Sequence, residues 1–257
     1  MKHHIYLEYS KQSDVFTRLD LIKKHQFDGI FIKIDENDKN EQIVNYARTI
    51  GLDVEAMHLA VTNCNHLWID DELGNDYVNG VIAGVEQASK LDIPIVVMHI
   101  SSGNNPPAIN PIALERVEKI LSICEKNNVY LELENLRRLD YLDYIYGNIN
   151  HPYLKFCFDS GHANAFTKNI ESFDFAKYQD KLVCIHLSDN HGDYDEHLIP
   201  THGNINWLNL IKKFKKIGFF GPLTLEAVTK ENSFDEELYL QEAKKALLYL
   251  ESLYQEG

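Results

Sequence analysis

No window of about 18 apolar residues occurs in this 257-residue chain, so a membrane-spanning helix is not expected. The opening MKHHIYLEYS holds no apolar signal core and no basic targeting helix. These absences predict a cytoplasmic protein with no membrane partner. Positive charge is scarce too: 25 Lys and Arg face 39 Asp and Glu, a formal net charge of −14. Arginine is confined to Arg18, Arg48, Arg116, Arg137 and Arg138. Nucleic-acid binding relies on Lys and Arg at phosphates, so that partner class is disfavoured. The four cysteines, Cys64, Cys124, Cys157 and Cys184, form no C-x-x-C pair. They read as buried free thiols in a reducing compartment. Linkers and low-complexity tracts are missing, which predicts one domain over 1–257.

Short apolar runs rich in Ile, Val, Leu and Phe alternate with longer amphipathic stretches. The runs are His4–Tyr9, Gly29–Ile34, Val54–Ala60, Ile95–Ser101, Tyr130–Leu136, Leu154–Asp159, Leu182–Asp189 and Leu223–Val228. They read as strands covered on both faces. Asp14–His25, Asn75–Leu91, Pro111–Asn127 and Phe234–Tyr254 carry apolar residues at helical spacing. Alternating strands and helices imply a parallel sheet. Eight such units in 257 residues favour a single closed (β/α)8 barrel of the α/β class over an open doubly wound sheet.

In such a barrel, functional groups gather where strands end. The strand ends here carry His58, His99, Glu134, Asp159 with His162, His186, and Glu226, and the loop after the seventh adds Asp195 and His197. A single His or Glu at a strand end is usually a solvated or hydrogen-bonded side chain. Six consecutive strands ending this way are another matter. Their charges are costly to gather unless a cation neutralises them. Imidazole with carboxylate suits zinc, iron or manganese better than calcium. Strand parity turns Glu132 to the same side as Glu134, one layer deeper, with Lys155 on the next strand as a candidate partner.

The chain resembles the xylose isomerase-like barrel superfamily, from FDGI at Phe27–Ile30 to LTLEAV at Leu223–Val228. The most specific pieces are FDSGHAN and the segment HLSDNHGDYDEHLIPTHGNINW from His186 to Trp207. That group includes sugar and sugar-phosphate isomerases and epimerases and the endonuclease IV type of nuclease. The epimerase branch implies one metal on Glu134, Asp159, His186 and Glu226, with Glu134 and Glu226 also the catalytic acid/base pair. The endonuclease branch implies a three-metal cluster, adding His58, His99, His162, Asp195 and His197. In the isomerase branch, His58, His99, His162 and His197 bind substrate hydroxyls or phosphate instead. The resemblance thus implies a divalent-metal cofactor (Zn, Mn, Fe, Co or Mg, one to three per chain). It also implies a small sugar or sugar-phosphate substrate and proton transfer through an enediolate. A multimetal phosphoesterase, a metal-dependent dehydratase or lyase, and a non-catalytic sugar-binding barrel stay open. Relatives occur as monomers and homo-oligomers.

Two departures concern the substrate. The second strand continues Phe31, Ile32, Lys33, Ile34 where the isomerases often have Glu, and Pro200, Thr201, His202, Gly203 replaces a Pro-Gly segment. Trp207 is expected either to contact substrate or to anchor the seventh helix. Asn135 is placed to orient Glu134. His3, His4, His25 and His151 read as surface or structural residues. Tyr144, Tyr146 and Tyr153 read as ordinary packing more than a sugar-stacking surface.

Overall fold

The structure, a computed structural model, describes residues 1–34, 39–167, 170–229 and 234–256. Eight parallel strands close into one barrel in sequence order. The strands are β1 (His3–Tyr6), β2 (Gly29–Lys33), β3 (Asp53–His58), β4 (Ile95–Met98), β5 (Tyr130–Glu134), β6 (Leu154–Asp159), β7 (Leu182–Leu187) and β8 (Leu223–Leu225). The helices are α1 (Val15–Lys24), α2 (Asn40–Thr49), α3 (Glu72–Lys90), α4 (Ile112–Asn127), α5 (Leu139–Asn148), α6 (Ser160–Thr167), α7 (Trp207–Lys216) and α8 (Glu236–Glu256). The chain divides into two compact units, one of 1–55 with 158–257 and one of 56–157.

In the first unit, β1 pairs with β2 and β8, aligning His4 with Gly29 and Thr224. These barrel-facing positions form a buried polar layer. Glu55 accepts from Thr224 at 2.6 Å and pairs with His4 Nδ1 at 2.9 Å. Buried polar groups must be partnered, and this carboxylate finds both partners on neighbouring strands. Two residues further along β1 and β2, Tyr6 stacks on Phe31, and Phe31 stacks on the imidazole of His186 at 4.5 Å and 12°. The continuation through Phe31 therefore supplies the flat apolar support for that imidazole. His3 and His4 are both buried and take the structural role.

In the second unit, β4 aligns with β5 and β5 with β6, so that Glu132 faces Lys155 across the ladder. The Lys155 ammonium lies 5.3 Å over the ring of Tyr130. A 3-10 turn at Cys64–Trp68 follows β3 and packs on α3 and α4. Tyr146 donates to the Lys155 carbonyl and Tyr153 to Asn128, and the ring of Tyr144 lies 6.1 Å from that of Trp68. All four cysteines are free and buried. Among the described residues, no helix is long and apolar enough to cross a membrane.

Candidate metal centre

The strand ends present their side chains as parity requires. β3 ends on His58, β5 on Glu134 and β6 on Asp159. His99 directly follows β4, His186 is the penultimate residue of β7, and Glu226 directly follows β8.

Within 56–157, His58, His99 and Glu134 each bring a ligand atom within 4.8 Å of the others. His99 Nε2 lies 2.6 Å and His58 Nε2 3.6 Å from Glu134 Oε2. The Nδ1–H of His58 donates to the Leu59 carbonyl at 2.9 Å, which fixes the tautomer and leaves Nε2 facing Glu134. The Tyr77 hydroxyl donates to the His99 carbonyl at 2.5 Å and secures the backbone behind that imidazole. Glu134 and Asn135 are both buried.

Within 1–55 and 158–257, Asp159, His186 and Glu226 likewise converge within 4.8 Å. His186 Nδ1 is 3.1 Å from Glu226 Oε2. The FDSGHAN turn explains itself locally. The Asp159 carboxylate accepts from the backbone N–H of His162, the capping contact that starts α6. Gly161 sits where a Cβ would lie 2.2 Å from Ser188 Oγ and 2.9 Å from Asp195 Oδ1, so only glycine lets the loop after β7 approach this closely. Gly161→Ala is expected to push that loop away at a cost of about 1–3 kcal/mol, read as a lower thermal midpoint. An unchanged midpoint would show that the loop gives way freely.

Asp195 and His197 arrive on that loop. Asp195 Oδ2 pairs with His197 Nε2 at 2.8 Å and with His162 Nε2 at 3.4 Å. The Nδ1–H of His197 donates to the Glu226 carbonyl at 2.9 Å. Burial disfavours charge on His197, but the hydrogen bond to Asp195, followed by the attraction of Glu226, Asp195 and Asp159, raises it to about 9. Burial also opposes ionisation of Asp195, yet the bonds from His162 and His197 hold it below the usual carboxylate range. The two thus form an imidazolium–carboxylate pair at neutral pH. The second Asp195 oxygen is buried with no hydrogen-bond partner among the described residues.

Trp207 is the first residue of α7; its buried indole N–H donates to Asp189 Oδ2 at 2.7 Å. Asp189 itself escaped sequence reasoning. Its only signal was an acidic residue inside the IHLSDN run, where an interior carboxylate looks like one more strand-end residue.

Comparisons with known proteins bear on the family and the fold. The family described as Xylose isomerase-like TIM barrel matches residues 19–250. The uncharacterized protein MJ1614 of Methanocaldococcus jannaschii is 31% identical over 161 residues, 59% of this chain and 61% of that protein. The uncharacterized protein y4fM of Sinorhizobium fredii is 24% identical over 66% of this chain and 58% of its own length. The match thus spans about three-fifths of these curated relatives. Among solved structures, a D-tagatose 3-epimerase-like protein aligns with a TM-score of 0.82 at 22% identity, covering 100% of this chain and 99% of that one. The IOLI protein with a binding zinc atom aligns at 0.81 and 20% identity, covering 99% of each chain. D-Psicose 3-epimerase with D-tagatose from Clostridium cellulolyticum H10 aligns at 0.78 and 18%, with 99% of each chain covered. At these identities the structures share the fold, and the family match covers most of the sequence. The chain belongs to the xylose isomerase-like TIM barrel family.

Proposed function

We propose that this protein is a divalent-metal-dependent isomerase or epimerase of a small sugar or sugar phosphate. The observation that carries the reading is the convergence of Asp159, His186 and Glu226 within 4.8 Å. Glu134 ends β5, the neighbour of β6 in the barrel order, and in this reading completes the set. The donor chemistry fits a cation. Carboxylates and an imidazole at buried strand ends need neutralising, and one Asp195 oxygen is buried without a hydrogen bond among the described residues. Zn, Mn, Fe, Co and Mg all suit such donors. When bound, the ion would polarise the substrate carbonyl as a Lewis acid.

The rest falls to the chain's own residues. Glu134 and Glu226 form the acid/base pair, one carboxylate taking the proton from the carbon beside the carbonyl and the other returning one. His99, at 2.6 Å from Glu134, orients that carboxylate. Asp159 and His186 hold the ion. His58, His99, His162 and His197 meet substrate hydroxyls, and Trp207 contributes through the loop that it anchors. The structural neighbours D-tagatose 3-epimerase-like protein and D-psicose 3-epimerase support the ketose class.

The test is solvent exchange. Protein loaded with Mn, Co or Zn is incubated in D2O with a panel of ketoses and ketose phosphates. Deuterium is expected at the carbon beside the carbonyl, with about one ion per chain. A second reading, a multimetal phosphoesterase, is favoured by the further group of His58 and His99 with Glu134 and by the Asp195 pairs. Phosphoester hydrolysis by protein carrying about two or three ions, without deuterium uptake, would overturn the first reading in favour of the second. Loss of water from the substrate would instead indicate a dehydratase.

A further inference from the structure

The loop between β7 and α7 runs over 188–206, long for a connection inside a barrel and of the length that carries function. Two of its non-glycine residues, His197 and Thr201, have left-handed backbones at φ 54° and 81°. Such conformations persist where surrounding structure over-determines them. Here one residue supplies much of that surrounding structure. The Asp189 carboxylate is fully buried and accepts four N–H groups. Oδ1 accepts from the backbone of Asn190 at 2.9 Å and of Ile205 at 3.2 Å. Oδ2 accepts from the backbone of Thr201 at 2.9 Å and the indole of Trp207 at 2.7 Å.

The Asp189 backbone adds a reciprocal bridge to Leu198, at 2.8 and 2.9 Å, immediately after His197. Thr201 is thus held at its own N–H, and His197 through its neighbour. The loop closes tightly on the carboxylate, because a Cβ on Gly203 would lie 2.3 Å from Asp189 Oδ1 and 2.4 Å from the Asn190 carbonyl. Asn190 carries the attachment on, its side chain donating to the Gly161 carbonyl at 2.8 Å. From the pinned segment, His197 reaches the Glu226 carbonyl at 2.9 Å and Asp195 at 2.8 Å. Its own carbonyl accepts from Val228 at 2.9 Å.

We propose that Asp189 is a positioning residue. Its buried carboxylate sets the shape of the 188–206 loop, and so the placement of the Asp195–His197 pair against Glu226. It touches no reacting atom. This inference rests on the isomerase reading for its kinetic consequence, while its structural half stands apart from that reading.

The variant is Asp189→Asn. It keeps the shape but turns one acceptor into a donor, so four N–H groups no longer all find a partner. Protein labelled with 5-fluorotryptophan gives two 19F resonances, from Trp68 and Trp207. The Trp207 resonance is expected to move and the Trp68 resonance to stay. Hydrogen exchange over 190–206 should quicken by about tenfold or more, with the strands unaffected. Metal content should be retained, and deuterium incorporation into substrate should fall about 10²-fold in kcat with KM little changed. Two further variants guard against failure to fold. Trp207→Phe removes one of the four donors, and Gly203→Ala crowds the carboxylate without altering it. Both should quicken loop exchange and lower kcat in the same direction.

Unchanged loop exchange with an unmoved Trp207 resonance in Asp189→Asn overturns the proposal. So does a loosened loop with full turnover, which makes Asp189 a scaffold residue only. A wild-type protein with no exchange activity sinks the isomerase reading and leaves the loop measurements to stand or fall separately.

Discussion

Glu226→Gln is expected to lose turnover by about 10³-fold or more while still binding metal. General acid–base groups contribute roughly 10²–10⁴-fold, and a glutamine side chain neither accepts nor returns a proton at neutral pH. The substitution is also clean. The Glu226 N–H donates to the Leu187 carbonyl at 2.9 Å, and its own carbonyl accepts from His197 at 2.9 Å. The backbone is therefore pinned at both ends whatever the side chain. The amide oxygen still reaches a metal but brings no charge, so affinity should weaken by about 10- to 100-fold.

The decisive comparison is made at saturating metal. A residue that served only as a ligand would recover its rate once the ion was forced in. An acid/base residue would not. Deuterium incorporation from D2O, followed across a metal titration, separates the two. Substantial exchange by the metal-saturated variant would sink the assignment of Glu226 as one of the proton-transfer pair and leave Glu134 to be tested alone.

The barrel was legible because each β/α unit repeats a short apolar run and a longer amphipathic one. β6 matched its run from Leu154 to Asp159. Other strands stop earlier than hydropathy suggests: β1 ends at Tyr6 and β7 at Leu187. Leu7 and Tyr9 remain buried beyond β1, so apolar character outlasts the strand there, while beyond β7 Asp189 is a buried carboxylate held by the loop. Helices α2, α5, α6 and α7 were not singled out, although α7 carries a buried stripe of Trp207, Leu210, Ile211 and Phe214; α6 is eight residues long and capped by a site residue.

The strand-end residues were legible because their chemistry is conspicuous at positions that should be apolar. Their supports were not. That Phe31 backs the imidazole of His186, or that Gly161 makes room for Asp195, depends on partners far apart in the chain. Burial of a charge is least legible of all. Asp189 and Arg116 both read as surface residues by type, yet both are interior because their partners lie in segments that only the fold assembles.

Arg116→Ala is expected to lower stability by about 3–4 kcal/mol, which for a chain of this length is a fall of roughly 10 °C in thermal midpoint. The side chain is buried near the start of α4. Nη1 donates to the carbonyls of His66 at 2.7 Å, Leu67 at 3.1 Å and Ile69 at 2.6 Å. Nη2 donates to the Asp71 carbonyl and the Asn75 side chain, both at 3.1 Å. One guanidinium therefore satisfies four carbonyls in the turn between β3 and α3 and the Asn75 side chain in the first turn of α3. Removing it leaves several acceptors buried and unpaired, and such groups cost about 1–3 kcal/mol each, partly offset where water enters the space. Lysine should recover less than half, since a point-like ammonium cannot span the same fan of carbonyls. The loss should also reach the site. α3 carries Tyr77, whose hydroxyl holds the His99 carbonyl, so hydrogen exchange at residues 66–77 and at His99 should rise together. A midpoint within about 1 °C of the unaltered protein would mean that solvent replaces the guanidinium at no cost and that the turn is held by α3 alone.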